Sequence, residues 1–137
     1  MKKSYISKRS KNILYAQQIA RMIKELSGVN VFENSRKQNV IESRSLLIYI
    51  LREVENMTYY FIRDFFVANG KDYDHSTAMH SYQSYPMYAK HNKQLEKYFT
   101  HIVNHSISEN SKKLIAKSII DSSDADVAEV FTYMINN

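Results

Sequence analysis

Thr58-Tyr59-Tyr60-Phe61-Ile62-Arg63-Asp64-Phe65-Phe66, followed after a short turn by Tyr73-Asp74-His75-Ser76-Thr77-Ala78-Met79-His80, decides the fold. Each half opens with a residue that caps a helix N-terminus, Thr58 and then Asp74. Ile62 with Phe65 or Phe66, and Met79 with Tyr82 or Tyr85, are the expected inward residues. Pro86 is expected to stop the second helix at about Tyr85. Two short helices joined this way read as a helix-turn-helix whose second member enters a DNA major groove. Its first turn holds short polar side chains that reach base edges without holding the backbone away. Asp74 can accept from a cytosine amine, His75 can donate to guanine, and Thr77 offers a hydroxyl and a methyl beside Ser76.

Upstream, a long helix is expected from about Arg36 to Glu55. Val40, Leu47, Leu51 and Val54 form its apolar stripe, and Ile41, Ile48 and Ile50 widen it. Arg44 occupies the stripe's remaining step, where burying a charge is costly. One account pairs it with a carboxylate or lets it snorkel out. The other ends the stripe at the domain edge and sends Arg44 toward DNA, and this second account is the expectation. A first helix, from about Asn12 to Leu26, repeats Ile13, Ala16, Ile19, Ala20, Ile23 and Leu26 and stops at Gly28. Residues 1–11, with Lys2, Lys3, Lys8, Arg9 and Lys11, read as a mobile basic arm.

Downstream, residues 88–105 carry Leu95, Tyr98, Phe99, Ile102 and Val103 at helical spacing. Leu114, Ile115 and Ile119 suggest a further helix. A last helix, capped by Ser123 or Asp124, carries Val127, Val130, Phe131 and Met134. These segments could form a second bundle, extend the first core or make a dimer interface.

The run from Ser35 to Tyr85 resembles domain IV of DnaA, the DNA-binding domain of the bacterial replication initiator. Arg36, Arg44, Tyr49, Arg52-Glu53, Thr58, Ile62, Phe66, Asp74-His75-Ser76-Thr77 and His80 stand in the order of that family's signature. Residues 13–34 add a weaker likeness to the helix that leads into the domain. Arg63 replaces the family's Gly after the Ile, and Tyr73 replaces its Arg before Asp-His. The turn from Val67 to Tyr73, with Asn69-Gly70, is longer than the family's. The resemblance implies that Arg44 enters a minor groove, where narrow A/T tracts attract guanidinium groups. It also implies a reader without its motor, because the two glycines, Gly28 and Gly70, cannot make a P-loop.

Charge agrees with a polyanionic partner. The net charge is +5, with thirteen Lys and Arg against eight acidic residues in 1–85 and six against six in 86–137. There is no Cys, so neither a disulfide framework nor a cysteine zinc site exists, and a cytoplasmic location is expected. No apolar run is long enough to span a membrane. His101 and His105 have i, i+4 spacing but lack a third ligand, so no metal and no cofactor are expected. Asp74, His75 and Ser76 are adjacent on one helix and cannot line up as a hydrolytic triad, so no enzyme is expected. Eleven Tyr are numerous. Most should edge the core, while Tyr59 and Tyr60 open their helix where a phosphate would pass.

The sequence thus predicts an all-α protein: a helix-turn-helix domain over 12–86 and a helical extension over 87–137 that serves an accessory or oligomerising role. The expected partner is double-stranded DNA, read with sequence preference and without a membrane. Arg44 is assigned to the minor groove and Asp74, His75, Ser76 and Thr77 to the major groove. Arg36, Lys37, Thr58, Arg63, Lys71 and His80 are assigned to phosphates or support. By analogy, the role is regulation of replication or transcription in a phage or mobile element. The alternatives are a DNA-packaging subunit of the small-terminase kind and a protein-interaction module acting on a host initiator.

Overall fold

Ser7 opens the first helix: its Oγ accepts from Ser10 N at 3.1 Å. The computed structural model describes residues 7–106, and these form five helices with no strand among them. α1 spans Lys8–Ser27 and buries Tyr15, Ala16, Ile19, Ala20 and Ile23. It ends at Gly28, whose φ of 76° is open to glycine without a side-chain clash and lets its N–H return to Lys24 O. The helix starts earlier than the apolar pattern suggested. Lys8, Arg9 and Lys11 are its exposed first turn rather than part of a loose arm.

α2, Gln38–Glu53, is the central strut. Leu46, Leu47, Ile48, Ile50 and Leu51 are fully buried, so the helix is covered on nearly every side in its second half. The chain leaves it through Asn56 at φ 53° and turns into α3, Tyr59–Ala68, where Thr58 Oγ1 caps Phe61 N at 3.0 Å. α3 buries Ile62 and both Phe65 and Phe66. Removing a ring such as Phe66 from water is worth about 3 kcal/mol.

α4 runs from His75 to His91, with Asp74 at the N-cap position as anticipated. The expected stop at Pro86 is corrected, because the helix continues through it. Proline there removes the bond to Tyr82 O and crowds that carbonyl. Burial of Tyr85 and Ala89 on either side opposes the break. Asn92 Nδ2 donates to Glu42 Oε1 at 2.7 Å and ties the far end of α4 to α2. Met79 is also corrected: it is exposed, and Ala78 takes the inward place.

α5, Gln94–His105, buries Leu95, Ile102 and Val103 against α1, α2 and α4. Its apolar residues join the same core as the helices before it. The anticipated boundary at residue 86 therefore falls inside α4. The helices expected around Leu114 to Ile119 and after Ser123 lie outside the described residues. Among the described residues, no helix is long and apolar enough to cross a membrane.

Candidate nucleic-acid interface

Arg44 shapes this region first. It is 8% exposed, and Nε donates to Val31 O at 2.8 Å. Nη2 donates to Glu33 O and, at 3.3 Å, to Ser35 O. The loop between α1 and α2 thus wraps around a guanidinium. Neither a carboxylate partner nor a free reach from the domain edge describes it. Burial lowers the Arg44 pKa, while Tyr73 and Glu33 nearby oppose that. The sequence assigned Arg44 to a minor groove; in this structure its Nε and Nη2 are engaged with loop backbone.

The loop that Arg44 holds is joined to the α3–α4 turn by Lys71, whose Nζ donates to Asn34 Oδ1 at 3.0 Å. Desolvation, then the Arg44 cation, pull the Lys71 pKa down, and Asp72 counters them. Gly70, at φ 85°, lets the turn fold back. Next, the Tyr73 ring stacks on Phe66 at 4.4 Å, and its hydroxyl shares a 3.0 Å hydrogen bond with Ser81 Oγ. Burial raises the Tyr73 pKa, with Ser81 and Arg44 pulling the other way. From α2, Ser45 Oγ donates to Ser81 O at 2.6 Å. Ser81 therefore receives both the turn and α2, and the roll of α4 is fixed at that point.

These contacts frame a cleft of about 780 Å³ between Ser35–Arg36, Lys71–Asp74 and the first turns of α4. Of the residues singled out from sequence, Arg36, Arg44, Lys71, Asp74, Thr77 and His80 line it together. Lys37 stands exposed at the N-cap position of α2, outside the lining. Ser76 is exposed beside it on α4. Thr58 has its hydroxyl engaged as the cap of α3. Arg63 pairs with Asp64 at 2.9 Å and lies over the Tyr60 ring at 5.2 Å.

Tyr60 links α3 to α4. It is exposed, and its ring stacks on His75 at 4.7 Å with 25° between planes. His75 Nδ1 in turn lies 3.0 Å from Asp74 Oδ1. Tyr59 faces inward instead, under Arg52 at 4.3 Å and edge-on to Tyr82. His101 and His105 stack at 4.2 Å on α5, with His105 Nδ1 bonded to His101 O. Among the described residues no group of three or more metal-ligating side chains gathers.

Sequence reading named Ser76 and His80 but missed how far the outer face of α4 extends. Ser76, Met79, His80, Gln83 and Met87 are all exposed, and helical spacing places them on one side. From His75 to Ala89 the helix has no Asp, Glu, Lys or Arg. The available signal was this absence of charge, in a chain where 24% of residues are charged. In comparisons with known proteins, no family model, no curated protein and no solved structure matches the chain.

Proposed function

We propose that the protein binds double-stranded DNA with sequence preference, laying the first turns of α4 in the major groove. One observation carries this reading. The first turns of α4 expose uncharged Ser76, Thr77 and His80, while Arg36 and Lys71 line the cleft beside them and Lys37 follows Arg36 on the same loop. A groove-reading helix needs neutral hydrogen-bonding groups toward the bases and cations toward the flanking phosphates. His75, Ser76 and Thr77 are the readers in this proposal. Arg36, Lys37 and Lys71 take phosphates, with His80 and Arg63 in support. Arg44 contributes by holding the loop that presents Arg36. A minor-groove contact through Nε or Nη2 of Arg44 would require it to release carbonyls that it now satisfies. The likeness to DnaA domain IV supports the major-groove part of this docking, though not its minor-groove arginine.

Selection of bound sites from a random duplex pool tests the reading. An enriched motif is the expected outcome. No retention of any duplex at low salt would sink it. A second reading is favoured by Met79 and Met87, at 39% and 53% exposure on the same face. Methionines on an exposed helix suit a protein partner, and that reading predicts a protein ligand that competes with no DNA.

A further inference from the structure

We infer that Asp74 is a positioning residue that sets the His75 imidazole with Nδ1 as donor, leaving Nε2 as an acceptor toward the groove. His75 then takes an exocyclic amine, of adenine or cytosine, and not a guanine edge. This rests on the DNA-binding reading above.

The geometry has three parts. First, Asp74 occupies the N-cap position of α4, yet its side chain makes no capping bond. Its Oδ1 lies 3.0 Å from His75 Nδ1 instead. An ionised carboxylate has no proton to give, so the N–H of that contact belongs to Nδ1. In the neutral ring the other nitrogen is then a bare acceptor. Second, the ring cannot exchange its two nitrogens freely, because it stacks on Tyr60 at 4.7 Å. A turn about the ring axis would break the carboxylate bond. Third, Tyr60 is itself held, under the Arg63 guanidinium that Asp64 fixes. Among the described residues, the charged groups in contact with the stack are Asp74 on α4 and Arg63 on α3, the latter paired with Asp64. His75 and Asp74 side chains are 36% and 61% exposed. In water such a pair is weak; its effect is on the ring's orientation once the groove displaces solvent.

The major groove makes this decisive. Adenine N6 and cytosine N4 are donors there, whereas guanine presents only acceptors, N7 and O6. A bare Nε2 matches the first two and repels the third. The sequence alone suggested the opposite, a histidine donating to guanine.

The test uses the full-length chain and the duplex it selects. Each adenine is replaced in turn by purine, which lacks the N6 amine. Each cytosine is replaced by pyrimidin-2-one, which lacks the N4 amine, and each guanine by 7-deazaguanine. One amine deletion should weaken wild-type binding by about tenfold, near 1.4 kcal/mol, and leave His75→Ala unaffected. Asp74→Asn keeps an acceptor for Nδ1 and should keep that penalty. Asp74→Ala should lift it and admit guanine at the same pair, with circular dichroism confirming that each variant is folded. A penalty on 7-deazaguanine that vanishes in His75→Ala would overturn the inference. So would an amine penalty that survives His75→Ala, or an even loss at all positions in Asp74→Ala, which would make Asp74 a helix cap only. Those outcomes leave DNA reading intact. Failure to select any duplex would overturn both.

Discussion

Arg44 Nε donates to the carbonyl oxygen of Val31 over 2.8 Å, across thirteen residues of chain. A charge placed in the apolar stripe of α2 is thereby satisfied by backbone, and the loop it binds becomes one wall of the cleft.

Arg44→Ala should therefore cost stability, by about 3 kcal/mol, since it leaves loop carbonyls without their charged donor. Arg44→Lys should recover little, because an ammonium cannot serve separated acceptors as the planar fork does. Urea denaturation of the three proteins measures this. Unchanged stability with weakened DNA binding would return Arg44 to the groove.

Cutting the chain after Pro86 should abolish cooperative folding. The cut divides α4 and removes Ala89, Leu95, Ile102 and Val103 from the core. Thermal melting by circular dichroism of the 7–86 fragment should show no sigmoidal transition. A sharp one would make the first four helices self-sufficient.

Pro86→Ala should raise the melting temperature. The substitution restores an N–H for Tyr82 O and relieves crowding within α4, for a gain of about 1–3 kcal/mol. Pro86 is exposed, so no packing is lost. Calorimetry of the two proteins decides it, and a lower melting temperature would contradict the continuous helix.

Alkali should unfold the protein through Tyr85. Burial, followed by the nearby Tyr49 and Glu96, pushes its pKa up to about 12 from the ordinary 10. The folded state thus favours the neutral phenol. That contribution is complete below pH 10 and is lost as pH rises through 10 toward 12, about 2–3 kcal/mol in all. Tyr82, bonded to Glu53, is also raised to about 12 and adds a smaller effect because it is partly exposed. Urea midpoints measured across this range should fall, and Tyr85→Phe should flatten the fall.

Affinity for duplex DNA should decline steeply with salt. With about four to six phosphates neutralised, the log–log slope should be roughly −4 to −5. Lys37→Ala should reduce its steepness by about one and weaken specific and random duplexes alike. A slope near zero would remove the electrostatic part of the proposal.

The helices were legible wherever their inward residues were aliphatic. Ile19 and Ile23 in α1, Leu47 and Leu51 in α2 and Ile102 in α5 mark their buried faces by spacing alone. α4 was harder, because its inward residues are Ala78, Tyr85 and Ala89. Alanine and tyrosine carry little contrast against Ser, Gln and Met, so Met79 was drawn inward and Pro86 looked like an end. Many tyrosines find their reason here: Tyr49 stacks on Tyr82 and Tyr85, at 5.5 and 4.3 Å, and approaches Phe99. The capping roles of Thr58 and Ser7 differ in the same way. Thr58 stands before an apolar run, whereas Ser7 is hidden in a basic one. Within the candidate site, Arg36, Lys71, Thr77 and His80 were all named from sequence, and all four line the cleft. The partners of Arg44 and His75 were not legible, since one depends on a loop's path and the other on the approach of α3.

Ser81 accepts from Ser45 through its carbonyl and meets Tyr73 through its hydroxyl. Neither bond carries a formal charge, so dissolved ions do not screen it. Ionic strength would then act on attachment to a polyanion while the aim of α4 stays constant. If α4 reads DNA as proposed, salt should weaken attachment without altering which bases the helix faces.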